Sequence, residues 1–200
     1  MQVKPEMIEV VLLSHAHADH IGGLIDREGQ PAFPNARILI SRDEYEFWRH
    51  SGFRERLGSG SVYGNAAIES AIDYWFDQYL LPVEQRLEFW EGETELLRGI
   101  TAIPAPGHTP GHSAFLIDGA PEPVLFTGDA FTLPEHIAHP EWVSCFDLDA
   151  ARTSETRLRL LDRAATDKCR VVHYHIGAIG RVGRQGSGYV WEPEFDAPVA

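Results

Sequence analysis

The sequence predicts a single α/β domain over residues 1–200, on three observations. Short apolar runs rich in β-branched residues alternate with segments patterned as helices. Histidine and aspartate side chains collect just after those runs, at the strand ends where α/β sheets carry their ligands. Hydrophobic content of 44% and charged content of 24% are those of an ordinary globular protein.

Residues 8–13 form a short, nearly continuous apolar run and read as a buried strand. Gly22 and Gly23 let the backbone turn tightly after the polar segment that follows. Residues 37–40 are a second strand, and Ser41-Arg42-Asp43-Glu44 is a capping box that opens a helix to about His50. Residues 52–64 are a Gly/Ser-punctuated loop. Asn65 caps a further helix, with Ile68, Ala71, Ile72, Trp75, Phe76, Tyr79 and Leu80 at helical spacing and Pro82 at its end. Strands follow at 87–90, 99–103, 113–117 and 124–126. A long helix spans about 149–165, with Leu158, Leu161 and Ala165 on one face. A strand at 169–174 leads to His175, and a short one at 189–191 closes the chain.

A net charge of −13 with 17 Lys and Arg argues against nucleic acid as a partner, because binding a phosphate backbone rests on cationic side chains. It argues equally against an anionic membrane surface. No apolar stretch approaches the roughly 18 residues of a membrane helix, and residues 1–6 do not read as a signal peptide. Cys145 and Cys169 stand far apart and read as free thiols. A cytoplasmic protein is expected.

The chemistry is concentrated in His15-Ala16-His17-Ala18-Asp19-His20, four metal-binding side chains in six positions. Imidazole and carboxylate suit zinc and similar ions. Four of them are too many for one ion that must also admit substrate, so the spacing points to two metals. In extended geometry His15 and His17 point the same way and can grip one ion. Further candidates lie in Gly107-His108-Thr109-Pro110-Gly111-His112, at Asp129 after the run 124–126, and at His173 and His175 after Val171-Val172. His50, His136 and His139 read as ordinary core or surface residues.

The series HAHADH, GHTPGH, TGDA and a late strand-end histidine resembles the metallo-β-lactamase-fold hydrolase superfamily, over most of the chain. His139-Pro140-Glu141-Trp142, Phe146-Asp147-Leu148-Asp149, Thr156-Arg157-Leu158 and Ile179-Gly180-Arg181-Val182 are similar to the branch holding methyl parathion hydrolase and the N-acyl-homoserine lactonases. The resemblance implies an αββα sandwich. It assigns His15, His17 and His112 to one metal, Asp19, His20 and His175 to a second, and Asp129 to both. His112 is preferred to His108 because it directly enters a strand; His108 then supports the turn. His173 stays an alternative to His175. In the superfamily a substantial stretch precedes HxHxDH, whereas here the motif begins at residue 15. Part of the N-terminal sheet is therefore expected to be missing, through truncation or a misplaced start. The stretch from the last histidine to Gly180 is also shorter than in the branch, which bears on pocket shape.

The implied function is hydrolysis of a small ester, lactone or phosphotriester by a hydroxide shared between two divalent ions, zinc first and manganese, iron or cobalt as alternatives. Asp19 is a candidate proton shuttle. Phe131, Leu133, Trp142 and Phe146 read equally as pocket wall or core. A non-catalytic metal-binding fragment is the alternative. A nuclease of the same fold is disfavoured by the charge.

Overall fold

The computed structural model describes residues 3–49, 74–119 and 121–196, without the side chains of Phe195 and Asp196. The chain divides into two compact units, Met1–Glu91 and Gly92–Ala200, each with its own sheet. The sequence reading takes 1–200 as one domain; packing marks a division at Glu91.

In the first unit three strands pair in parallel, β1 (Val10–Leu12), β2 (Arg37–Ser41) and β3 (Leu87–Trp90), in that spatial order. Registers Val11↔Ile38 and Ile38↔Leu87 make β2 the central strand. Ile38, Leu39 and Ile40 are accordingly buried on both faces, as parallel strands require. The Leu13 N–H extends the β1–β2 ladder to the Leu39 carbonyl at 2.9 Å, so the chain is still held when it enters the histidine segment. A four-residue helix α1 (Ala18–Ile21) follows, and α2 (Arg42–Arg49) leaves the end of β2. The expected loop at 52–64 and the first half of the expected helix, 65–73, lie outside the described residues, as does His50. Its second half is a π-helical turn over Phe76–Leu80, with Phe76 and Leu80 buried. Pro82 does not end the helical segment. It sits in the first turn of a 3-10 helix, Leu81–Arg86, where the missing N–H removes no hydrogen bond.

The second unit carries a seven-stranded sheet. Its strands are β4 (Thr94–Leu97), β5 (Ile100–Pro104), β6 (Ser113–Ile117), β7 (Val124–Phe126), β8 (Arg170–Val172), β9 (Ala178–Gln185) and β10 (Gly188–Asp196). They lie side by side in sequence order, all antiparallel except β7 with β8. A parallel pair needs a crossover. Here it holds α3 (Glu135–Ala138) and the long α4 (Ala150–Asp167). The Asp149 side chain caps α4 by accepting the Arg152 N–H at 3.0 Å.

The buried face of α4 is Thr153, Thr156, Arg157, Leu160, Leu161 and Ala164, rather than the expected face through Leu158, which is 46% exposed. Leu160, Leu161 and Ala164 pack with Ile103, Leu125, Phe131 and Val171 in the core. Two strands have no counterpart in the sequence reading, β4 and β9. Along β9 the buried positions are Ala178, Gly180 and Val182, so a glycine occupies the middle of its apolar face. A Cβ at Gly180 would come within 2.4 Å of the Glu192 carbonyl oxygen and 2.7 Å of the Trp191 ring, so β10 can lie close only over glycine. No helix among the described residues is long and apolar enough to cross a membrane.

His136 on α3 is buried, and its Nδ1 has no hydrogen-bond partner among the described residues. Burial first, and the Arg157 charge second, push its pKa down to about 4. The unfolded chain takes up this proton near pH 6.5. The contribution is therefore complete above that pH and is lost as pH falls toward 4, by on the order of 3 kcal/mol. His136→Phe removes this loss. Denaturation midpoints measured from pH 6.5 to 4 should fall less steeply in the variant, and parallel slopes would refute the assignment.

Candidate metal centre

In the first unit the histidine segment follows β1 and turns into α1 with His17, in extended conformation, at the N-cap position. His15 is fully buried, with its Nδ1 3.0 Å from the Ser14 hydroxyl and its Nε2 3.0 Å from His17 Nδ1. The latter separation is close to the spacing of about 3.3 Å between two nitrogens on one tetrahedral zinc. The pair therefore fits a shared ion. The His15 and His20 rings lie 4.0 Å apart, and Asp19 Oδ2 is 3.3 Å from His20 Nε2. His20 is nearly buried, whereas Asp19 is half exposed.

In the second unit the Gly-His turn is locked onto the start of α4. Gly107 O accepts the Asp149 N–H, His108 O accepts the Leu148 N–H, and Pro106 O accepts the Thr156 hydroxyl. Gly107 has φ +136°, and a Cβ there would lie 2.4 Å from the Thr153 nitrogen. Glycine is needed on both counts.

The turn delivers two histidines to Asp129, which sits on a 3-10 turn, Gly128–Ala130, beyond β7. His108 Nδ1 lies 2.9 Å from Asp147 Oδ1, while its Nε2 lies 3.5 Å from Asp129 Oδ2. A carboxylate on Nδ1 keeps the proton there and turns the Nε2 lone pair toward Asp129, the usual pose of a metal-binding imidazole. His112 is tied to the main chain at both nitrogens: Nδ1 to the Ala105 carbonyl at 3.0 Å, and Nε2 accepting the Asp129 N–H at 3.0 Å. The geometry thus reverses the sequence-based order of this pair. His108 has the ligand pose, and His112 braces the Asp129 turn.

The late histidines also divide. His175 Nε2 reaches Asp129 Oδ2 at 3.0 Å. His173 points into the core between Phe131 and Trp191, with Nδ1 2.8 Å from the Thr127 hydroxyl, and burial pushes its pKa down to about 4. It is a neutral packing residue.

Asp147 and Arg157 have no role in the sequence reading beyond resemblance, yet they anchor the His108 and Asp129 turns of the second unit. Both side chains are fully buried, and they pair at 3.2 Å. Burial alone would raise the Asp147 pKa. The hydrogen bonds from His108 and the Ser144 N–H and the Arg157 charge outweigh it and hold the carboxyl below its usual range. Arg157 also donates to the carbonyls of Ala130 and Trp142, so one guanidinium braces the Asp129 turn and the carboxylate behind His108. The available signal was an arginine in register with Leu160 and Leu161 on the apolar stripe of α4. Of the four candidate pocket residues, Phe131 is core, whereas Leu133, Trp142 and Phe146 are more than half exposed.

Among the described residues, the side chains that fall in groups able to hold an ion are His15, His17, Asp19, His20, His108, Asp129 and His175. Residues 1–175 match the family model of the metallo-beta-lactamase superfamily, and the chain belongs to that superfamily. It is 30% identical over 157 residues to an N-acyl homoserine lactonase of a Bacillus species, covering 78% of this chain and 52% of that protein. It is 35% identical over 132 residues to YobT of Bacillus subtilis, an uncharacterised protein, covering 66% of this chain and 49% of YobT. The chain spans about half the length of these relatives. Among solved structures, AidC, a dizinc quorum-quenching lactonase bound to a product, superposes with a TM-score of 0.86 at 28% identity, covering 96% of this chain and 66% of AidC. The hydrolase AbOPH superposes with a TM-score of 0.85 at 27% identity over the same shares. The chain has the metallo-β-lactamase fold.

Replacing Arg157 with alanine leaves Asp147 buried without its cation and should cost about 3–5 kcal/mol in urea denaturation. Gly107→Ala should cost more than about 1 kcal/mol in the same measurement, through φ and the Thr153 clash together. A near-neutral result for either removes the corresponding anchor.

Proposed function

We propose that the chain is the metal-binding part of a dinuclear hydrolase acting on small lactones or esters, with zinc as the resident ion. The observation that carries this reading is the pose of the imidazoles. His15 and His17 converge at 3.0 Å, and His108 and His175 both turn Nε2 to the Asp129 carboxylate. Support for zinc and for a lactone comes from the relatives, a dizinc lactonase and the Bacillus N-acyl homoserine lactonase. In this reading the ligands are His15, His17, Asp19 and His20 of the first unit and His108, Asp129 and His175 of the second.

When bound, two divalent ions would supply a nucleophilic water at neutral pH and offset negative charge on the substrate oxygen. The residues of the chain do the rest. Asp147 keeps the proton on His108 Nδ1 and so leaves a lone pair on its Nε2, and Ser14 holds the His15 ring by its Nδ1. The half-exposed position of Asp19 supports a role in moving a proton to and from solvent. The exposed apolar side chains Leu133, Trp142 and Phe146 offer contact to an acyl group, and no polar partner is needed there. A small-molecule substrate fits a net charge of −13 better than a nucleic acid does. The free thiols of Cys145 and Cys169 support a reducing, cytoplasmic setting.

Elemental analysis of the purified protein should find two zinc-class ions per chain, and N-acyl homoserine lactone hydrolysis should depend on them. Asp129→Ala should lose at least about 100-fold in turnover and at least one ion. Two tightly held ions with no turnover on any lactone, ester or phosphotriester would instead establish a metal-binding fragment without activity.

A further inference from the structure

Beneath the histidine segment lies a carboxylate that the function above does not use. Glu44 is fully buried in the first turn of α2. Its Oε1 accepts the Ala16 N–H at 2.9 Å and the Trp48 indole N–H at 2.7 Å. Ala16 is the residue between His15 and His17, and its N–H lies in the peptide that joins it to His15. The Trp48 ring in turn meets the His17 ring edge-on at 5.5 Å between centroids. A single oxygen atom thus ties the backbone between the two histidines to the aromatic wall behind the second.

The sequence pattern explains Glu44 as the fourth residue of a capping box, a role fulfilled at the surface of a helix end. Complete burial is not needed for that role and is costly for a carboxylate unless its hydrogen bonds do something in return. Here they set the spacing of two ring nitrogens. A short segment of extended chain leaves several backbone rotations between His15 and His17, whereas metal ligation requires both rings within a few tenths of an ångström of one geometry. The Ala16 amide lies between them, and Glu44 holds it from the body of the unit.

We propose that Glu44, with Trp48, is a positioning residue for the first metal site: it presets the separation of His15 and His17 and so raises the affinity of that site. The proposal rests on the reading of His15 and His17 as ligands. The test compares Glu44→Ala, Glu44→Gln and Trp48→Phe with the parent protein. Each is checked for folding by thermal melting of the metal-stripped form. Zinc affinity is then read by competition with a chromophoric chelator, and ligand geometry by the visible absorption of the cobalt-loaded form.

Expected is a loss of about 10-fold or more in zinc affinity at one of two sites in Glu44→Ala, with a changed cobalt spectrum. Glu44→Gln keeps an oxygen that accepts both N–H groups and should restore affinity and spectrum. Trp48→Phe should show a smaller loss. Parent-like affinity and spectrum in folded Glu44→Ala, or in Trp48→Phe should the alanine variant not fold, overturn the proposal. So does a Glu44→Gln variant that folds and is as impaired as Glu44→Ala. A parent protein that binds no zinc at all overturns the metal-centre reading itself. Parent-like zinc binding that is lost in His15→Ala but untouched in Glu44→Ala overturns only the role of Glu44.

Discussion

An imidazole offers a metal the nitrogen that its other nitrogen leaves unprotonated, so the candidate centre depends on what stands behind each ring. In the first unit the Ser14 hydroxyl lies against His15 Nδ1, and in the second the Asp147 carboxylate lies against His108 Nδ1. The carboxylate, which can only accept, chooses a tautomer, and both contacts choose a direction. A free histidine loses rotamer entropy when it binds an ion, and an oriented one has lost it already. The folding energy of both units is thus partly committed to presenting lone pairs.

That commitment explains why the second unit tolerates a fully buried arginine. A guanidinium without water is costly, and its pairing with Asp147 offsets the cost only because the remaining donors also find acceptors. Arg157 meets that condition through the carbonyls of Ala130 and Trp142. Ala130 follows Asp129 directly, and Asp147 stands behind His108. The same guanidinium therefore braces the bridging candidate from one side and a ligand candidate from the other. A hydrophobic residue in its place would pack as well in the core beside Leu160 and Leu161, yet it would hold neither.

The legibility of the fold follows from where side chains carry the signal. Strands β2, β3, β6 and β7 are visible because apolar side chains fill their buried positions. β9 is not, because Gly180 stands at the centre of its buried face and contributes no hydrophobicity, even though its lack of a side chain lets β10 approach. β4 is a short edge strand with one irregular pairing between Glu95 and Leu97, joined to β5 by a tight turn at Arg98 and Gly99, and its alternation is too brief to read. The register of α4 is obscured for the opposite reason. Hydrophobicity alone points Leu158 inward, whereas Arg157 takes the buried position through charge pairing that a hydropathy pattern cannot display.

At the site, residue types and strand-end positions were legible, and orientation was not. Sequence proximity to a strand favoured His112 over His108, since entering a strand is the commoner way for a sheet to deliver a ligand. What decides between them is a partner 39 positions away, Asp147, which lines up with His108 only after α4 has docked on the turn through Gly107. Glu44 was hidden in the same manner, 28 positions from the amide it holds. Ligands of a metal site lie in local motifs because neighbouring chain positions must converge on one ion. The groups that orient them are under no such constraint. They need only a side chain long enough to reach and an environment dry enough for one hydrogen bond to fix a ring or a peptide, so they come from whichever helix packs behind the motif. In both units that helix begins soon after a strand or turn that borders the histidines, α2 directly after β2 and α4 against the Gly107 turn. A buried carboxylate within or just before the first turn of such a helix is therefore the place to look for the residue that aims a metal motif in a chain of this fold.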